Sequence, residues 1–322
     1  MKALSYAEAI REALAEEMRR DEKVFVMGED VGRYGGGFKV TKGLIDEFGP
    51  DRVRDTPISE NAILGAAIGA ALLGYRPVAE IMYMDFLNEC ADQLVNHLPK
   101  LHFMTAGKLT APAVIRTQYS LGRNMGAQHS QFFPSFYMNT PGIFLAIPST
   151  PADAKGLLKT AIRGSNPVLF VECAALYSSR GEVPTEEHLV PFGKAEVKRD
   201  GNDVTVVAIS RMVVEALSAA ETLGTEGISV EVIDPRTLVP LDTDSIVRSV
   251  KKTGRLVTAE DSCRTCGVGA ELVARVSERA MNYLEGIERV ACPDTPAPFS
   301  PPLQKAYMPG RAAIVESVKS IL

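Results

Sequence analysis

Asp55-Thr56-Pro57-Ile58-Ser59-Glu60, running without a break into Asn61-Ala62-Ile63-Leu64-Gly65-Ala66-Ala67-Ile68-Gly69-Ala70-Ala71-Leu72-Leu73, sets the architecture of this chain. From Ser59 to Leu73 the residues are small and apolar almost throughout, which reads as a buried helix. Gly74 stops it, and the β-rich run Pro77-Val78-Ala79-Glu80-Ile81 follows at once. A carboxylate, Glu60, enters this apolar helix with no cation beside it. Such a charge is costly to hold unless a partner shares its charge or proton, so it marks a candidate site.

The same alternation extends in both directions. Strand Val24 to Met27 comes before, and a helix from Phe86 to Met104, strand Ala113 to Arg116, helix Pro151 to Arg163 and strand Val168 to Val171 come after. Thr150 caps the Pro151 helix, with proline in its first turn, and Ser5 with Glu8 forms a capping box for an amphipathic helix from Tyr6 to Arg20. Alternating strands and helices predict an α/β domain, a doubly wound parallel sheet with helices on both faces.

Between Arg180 and Asp203 the pattern breaks into glycine, proline and charge, which predicts a linker at 186–202 between domains at 1–185 and 203–322. The second domain repeats the alternation. Strands run from Val204 to Ile209, Ile228 to Ile233, Arg255 to Ala259 and Ile287 to Ala291. Helices run from Met212 to Leu223, Asp244 to Lys251 and Val268 to Leu284, with a proline-rich turn from Pro293 to Pro302 and a last helix from Arg311. A length of 322 residues fits two such cores.

Composition narrows the function. A net charge of −5 gives no electrostatic reason to expect nucleic acid or an anionic membrane as partner. The most apolar run, Ala62 to Tyr75, is shorter than the roughly 20 residues that span a bilayer. The N-terminus does not look like a secretion signal, and an odd set of five cysteines fits a reducing compartment, so a cytoplasmic protein is expected. Cys263-Arg264-Thr265-Cys266 has metal or redox spacing, but no second pair or nearby histidine completes a zinc site. Incidental thiols is the reading.

Gly32-Arg33-Tyr34-Gly35-Gly36-Gly37 and Gly267-Val268-Gly269 lack the dinucleotide spacing and read as a loop and a helix start. His129, one of four histidines, sits between Gln128 and Ser130-Gln131 after the glycine-containing loop Leu121 to Gly126. Polar flanks suit an accessible imidazole that carries protons near neutral pH. Phe86 alone reads as core. These features reach a two-domain α/β protein with a glutamate and a histidine of interest.

Further motifs carry a resemblance. Gly28-Glu29-Asp30-Val31, Asp55 to Glu60, Arg76-Pro77-Val78, Asp85-Phe86, Asp92-Gln93, Gln128-His129-Ser130-Gln131, Pro148-Ser149, Asp153 to Leu157, Asn166-Pro167-Val168, Pro191 to Ala195, Asp234 to Leu238 and Pro240-Leu241-Asp242 occur in order along nearly the whole chain. Together they resemble the β subunit of the thiamine-diphosphate-dependent first component of 2-oxo acid dehydrogenase complexes. The resemblance implies a transketolase-like pyrimidine-binding domain followed by a transketolase-type C-terminal domain.

It further implies that Glu60 hydrogen-bonds the aminopyrimidine of thiamine diphosphate, that Phe86 stacks on that ring and that Met82 lines its pocket. His129 would serve acyl transfer to a lipoyl group of an acyltransferase second component. The diphosphate and Mg²⁺ anchor, a Gly-Asp-Gly segment, is absent here, which implies an α subunit in a heterotetramer of two α and two β. A structural K⁺ held by backbone carbonyls of Ala113, Ala161 and Asn166 is implied only weakly, since Gly164 replaces an aspartate of some relatives. The substrate expected is a 2-oxo acid, pyruvate first, with acetoin and branched-chain 2-oxo acids as alternatives. A non-catalytic scaffold subunit would have no need of Glu60 together with His129.

Overall fold

The computed structural model describes all residues, 1–322, and the chain folds as two units. The first comprises residues 1–119 and 137–192, the second residues 120–136 and 193–322. The second unit thus takes in the segment that carries His129, although it lies within the stretch the sequence assigns to the first domain.

In the first unit, strands β2 (Val24–Gly28), β3 (Val53–Asp55), β4 (Arg76–Ile81), β5 (Val114–Tyr119), β6 (Phe144–Ala146) and β7 (Val168–Cys173) pair in the order β6-β7-β5-β4-β2-β3. Every one of these pairings is parallel. Apart from β3, whose Arg54 and Asp55 are exposed, the strands are mostly buried, as a parallel sheet covered by helices requires. A separate antiparallel ribbon joins β1 (Lys2–Ser5) to β8 (Arg180–Val183).

Helix α1 (Tyr6–Arg20) has the expected capping box, with Glu8 N donating to Ser5 Oγ at 3.2 Å and Ser5 N donating to Glu8 Oε2 at 2.7 Å. It packs on α6 (Pro151–Arg163), and the contact carries charge. Lys155 and Lys159 on α6 are each 1% exposed. Lys155 pairs with Glu12 and with Glu16 at 2.8 Å, and Lys159 with Glu16 at 2.6 Å and Glu187 at 3.0 Å. Burial alone would raise the Glu16 carboxyl, but hydrogen bonds from the two ammonium groups outweigh it and bring it down to about 2.

Two expectations are corrected. The run Phe86 to Met104 is not one helix: it divides into a 3₁₀ segment Met84–Cys90, a π turn Asp92–His97 and, after short helix α2 (Leu44–Phe48) and α3 (Glu60–Leu72) earlier in the chain, the single turn α4 (Leu101–Met104). Pro99 supplies no N–H and excludes a continuous helix there. Helix α3 is also not buried all round. Ile63, Leu64, Ala67, Ile68 and Ala71 face the core, whereas Asn61, Ala62, Ala66 and Gly69 are exposed.

The second unit has strands β9 (Glu196–Arg199), β10 (Val204–Ala208), β11 (Val230–Asp234), β13 (Arg255–Cys263) and β14 (Gly286–Cys292) in the order β14-β13-β10-β11-β9, antiparallel only at β9. The short strand β12 (Thr237–Val239) follows β11 in the chain, and the short helix α5 (Pro134–Met138) precedes α6. Alternation along β10 shows both faces covered. Val204, Val206 and Ala208 pack with α7 (Arg211–Gly224) and α11 (Arg311–Ser320), while the Thr205 hydroxyl meets Ser249 and Thr253 of α8 (Thr243–Thr253). Helix α9 (Val268–Ala280) and α10 (Pro301–Tyr307) complete the unit. No helix is long and apolar enough to cross a membrane.

Candidate active site

In the first unit the carboxyl ends of β2 and β4 and the start of α3 bring acidic side chains together. Gly28 closes β2 at φ +155°, and a Cβ there would stand 2.8 Å from the Glu80 carbonyl oxygen. Only glycine allows the two strand ends to approach so closely. Thr56 N donates to Gly28 O at 3.0 Å and so ties the segment before α3 to the same strand end. Asp55 Oδ1 accepts from Gly32 N at 2.6 Å, pinning the glycine loop.

Glu60 occupies the first turn of α3 and is 9% exposed. Its neighbours report its charge. The Glu29 carboxyl is raised by burial and then by the Glu60, Asp30 and Glu80 carboxylates. The Cys90 thiol is pushed up to about 12, by burial first and by Glu60 second. A group binding beside Glu60 therefore meets concentrated negative charge that favours a proton or a protonated ring. The Thr56 hydroxyl, nearby in sequence, is buried with no protein partner.

Met82 and Phe86 are half-buried, on the segment that packs against α3. A Cβ on Gly37 would lie 3.4 Å from Met82 Sδ, so the glycine loop leaves room for the thioether. Gln118 Nε2 donates to the Met82 carbonyl at 3.0 Å. Phe86 meets Tyr83 edge-on at 5.3 Å, and Tyr83 meets Phe38 at 5.7 Å. These rings hold Phe86 at the edge of an aromatic cluster with part of its surface open.

Sequence reasoning missed the support beneath this group. Arg116 Nη1 donates to Glu80 at 2.7 Å, its Nε and Nη2 hold Glu172 at 2.7 and 2.9 Å, and Tyr177 Oη donates to Glu172 at 2.8 Å. Burial raises the Glu172 carboxyl, and the Arg116 charge opposes it. One signal was available: Glu80, Arg116 and Glu172 are charges that directly follow short apolar runs, Val78-Ala79, Val114-Ile115 and Val168 to Val171.

His129 belongs to the second unit and is half-buried. Its loop is held from below, since Asn124 N donates to Gln304 Oε1 at 2.8 Å and a Cβ on Gly126 would lie 3.3 Å from the Phe299 ring. Ser130 next to it keeps a buried hydroxyl without a protein partner.

The carbonyls expected to hold K⁺ have other company. Ala113 O accepts from Val168 N and Ala161 O accepts from Gly164 N, and the Arg76 guanidinium donates to Ile162 O and Gly164 O at 2.8 and 2.7 Å. The Arg76 guanidinium thus sits at the end of this helix, on carbonyls that follow Ala161 in sequence.

Residues 2–179 match the transketolase pyrimidine-binding domain, and residues 193–314 match the transketolase C-terminal domain. The β subunit of the mitochondrial pyruvate dehydrogenase E1 component of Dictyostelium discoideum is 44% identical over 99% of this chain and 91% of its own length. This chain belongs to the E1 β-subunit family of 2-oxo acid dehydrogenases. The acetoin:2,6-dichlorophenolindophenol oxidoreductase subunit β of Cupriavidus necator is also 44% identical, over 99% of this chain and 97% of its own length. The 2-oxoisovalerate dehydrogenase subunit β of Bacillus subtilis is 43% identical over 96% and 95%. A solved structure described as a split-gene transketolase, inactive β4 tetramer, matches with a TM-score of 0.82 at 24% identity, covering 99% of this chain and 98% of that one. The match shows a shared two-domain fold.

Proposed function

We propose that this E1 β subunit binds the aminopyrimidine half of thiamine diphosphate and, with an α subunit, decarboxylates pyruvate and passes the acetyl group to a lipoylated second component. The observation that carries the proposal is Glu60, a nearly buried carboxylate whose charge is felt by Glu29 and Cys90, beside a segment that presents Met82 and Phe86. The donor set fits the pyrimidine end of the cofactor. Nothing in the sequence fits its other end, because no Gly-Asp-Gly segment occurs.

When bound, thiamine diphosphate supplies the carbon nucleophile and the electron sink that decarboxylation needs. Glu60 would hydrogen-bond the ring nitrogen of the aminopyrimidine and could hold or give up a proton there. Phe86 would stack against the ring, and Met82 would line the space beside it. Arg116 Nη1 donates to the Glu80 carboxyl at 2.7 Å and fixes its position at this end of the sheet. His129, on its braced loop, supplies or accepts a proton when the acyl group moves to the lipoyl sulfur.

A second reading, acetoin cleavage, has the same support in identity, since the pyruvate and acetoin relatives are each 44% identical. Steady-state turnover of the reconstituted α/β enzyme with pyruvate, acetoin and 3-methyl-2-oxobutanoate separates them. Pyruvate should give the highest kcat/KM; a preference for either other substrate of tenfold or more overturns the pyruvate assignment.

A further inference from the structure

At one end of the sheet in the second unit, a cavity of about 510 Å³ is lined by Cys263, Cys266, Asp261, Tyr307 and residues of the His129 loop. The sequence pairs Cys263 with Cys266 as a C-x-x-C motif. The structure pairs Cys263 differently. Cys263 and Cys292 are direct Cα partners on the adjacent parallel strands β13 and β14. Neighbouring strands stand about 4.8 Å apart, inside the roughly 4.4–6.8 Å that the Cα atoms of a disulfide span.

The Tyr307 hydroxyl stands at this pair. Cys263 Sγ lies 3.8 Å from Tyr307 Oη, and the Cys292 thiol donates to the Asp261 carbonyl at 3.3 Å. Side chains of directly opposed residues on neighbouring strands project to the same side of the sheet. The strand ends are fixed in register, because Arg264 N donates to Cys292 O at 2.9 Å and Thr265 is clamped to Asp294 through its N–H and hydroxyl at 3.0 and 2.6 Å. That clamp also holds Cys266 in a left-handed turn at φ +55°, beyond the strand pair.

We infer that Cys263 and Cys292 form an oxidation site, a dithiol that a hydroperoxide closes to a disulfide. Cys263 is exposed and Cys292 is buried, so Cys263 reacts first. Its thiolate attacks one peroxide oxygen, the O–O bond breaks and hydroxide leaves, giving the sulfenic acid. The Cys292 sulfur then attacks the Cys263 sulfur, the S–O bond breaks and the hydroxyl departs with the Cys292 proton as water. In total two thiols lose two electrons and two protons, and one hydroperoxide is reduced. Burial raises the Cys292 thiol, so the second step is the slow one and brief exposure leaves the pair open. Closure draws the two sulfurs to about 2.05 Å, and the Tyr307 hydroxyl at the end of α10 loses its Cys263 partner. The same helix carries Gln304, which holds the His129 loop at Asn124.

Trypsin tests the pairing directly, because it cuts between the two cysteines of the C-x-x-C motif, after Arg264. The full chain is treated with hydrogen peroxide, free thiols are alkylated and the non-reduced digest is analysed by mass. The expected product joins the peptide ending at Arg264 to the peptide beginning at Val290, with two hydrogens lost and two of the five thiols consumed. Cys266→Ser should leave its yield unchanged, and Cys292→Ala should abolish it. A crosslink from Cys263 to Cys266, or Cys263 carried to the sulfinic acid with no crosslink, overturns the inference.

Discussion

Glu60 is nearly buried at the start of its helix, and its charge helps raise the Glu29 carboxyl after burial. Replacing it by glutamine keeps size and hydrogen-bonding capacity but removes the exchangeable proton. Glu60→Gln should therefore preserve the far-ultraviolet spectrum and melting temperature while turnover with an α subunit falls on the order of 10²-fold or more. Retention of near-normal turnover would remove Glu60 from the chemistry. His129 makes a different claim. His129→Ala should reduce acetylation of a lipoyl domain more than decarboxylation followed with an artificial electron acceptor. Equal losses in the two assays would assign the imidazole to the first chemical step, and no loss in either would leave it a structural residue of its loop.

Among the elements, α1 and α6 show how acid affects the first unit. The Glu16 carboxyl sits at about 2 in the folded chain against an ordinary 4.5, so the folded state binds fewer protons than the unfolded state in between. Its stabilisation is present above about pH 4.5 and is lost as pH falls toward 2. Glu16→Gln should flatten the acid limb of the melting temperature across that window, measured by scanning calorimetry at several pH values. An unchanged limb would show that the lysines find other partners. The capping of α1 by Ser5 and Glu8 and of α6 by Thr150 was legible because caps act within three residues. The three-residue strands Val53–Asp55 and Phe144–Ala146 were not, since so short a run has no period to read. Glu60 stood out because its contrast with the helix is local. Arg116 did not, because its partners Glu80 and Glu172 lie 36 and 56 residues away and meet only when the parallel sheet forms.

For the whole molecule, the composition of the site predicts dependence on a second chain. The purified chain alone should bind thiamine diphosphate weakly, because it offers a carboxylate, a ring and a thioether but no diphosphate anchor. Isothermal titration with and without a co-expressed α subunit measures this, and micromolar binding by the chain alone would contradict the division of labour. Lys155 and Lys159 carry a separate consequence. Their amines are shielded by Glu12, Glu16 and Glu187, so an amine-acylating reagent that marks the exposed lysines of the native chain passes these two by. They become labelled only when α6 parts from α1. Two lysines out of the whole set thus act as a built-in footprint of the opening of the first unit, read from the masses of the acylated peptides.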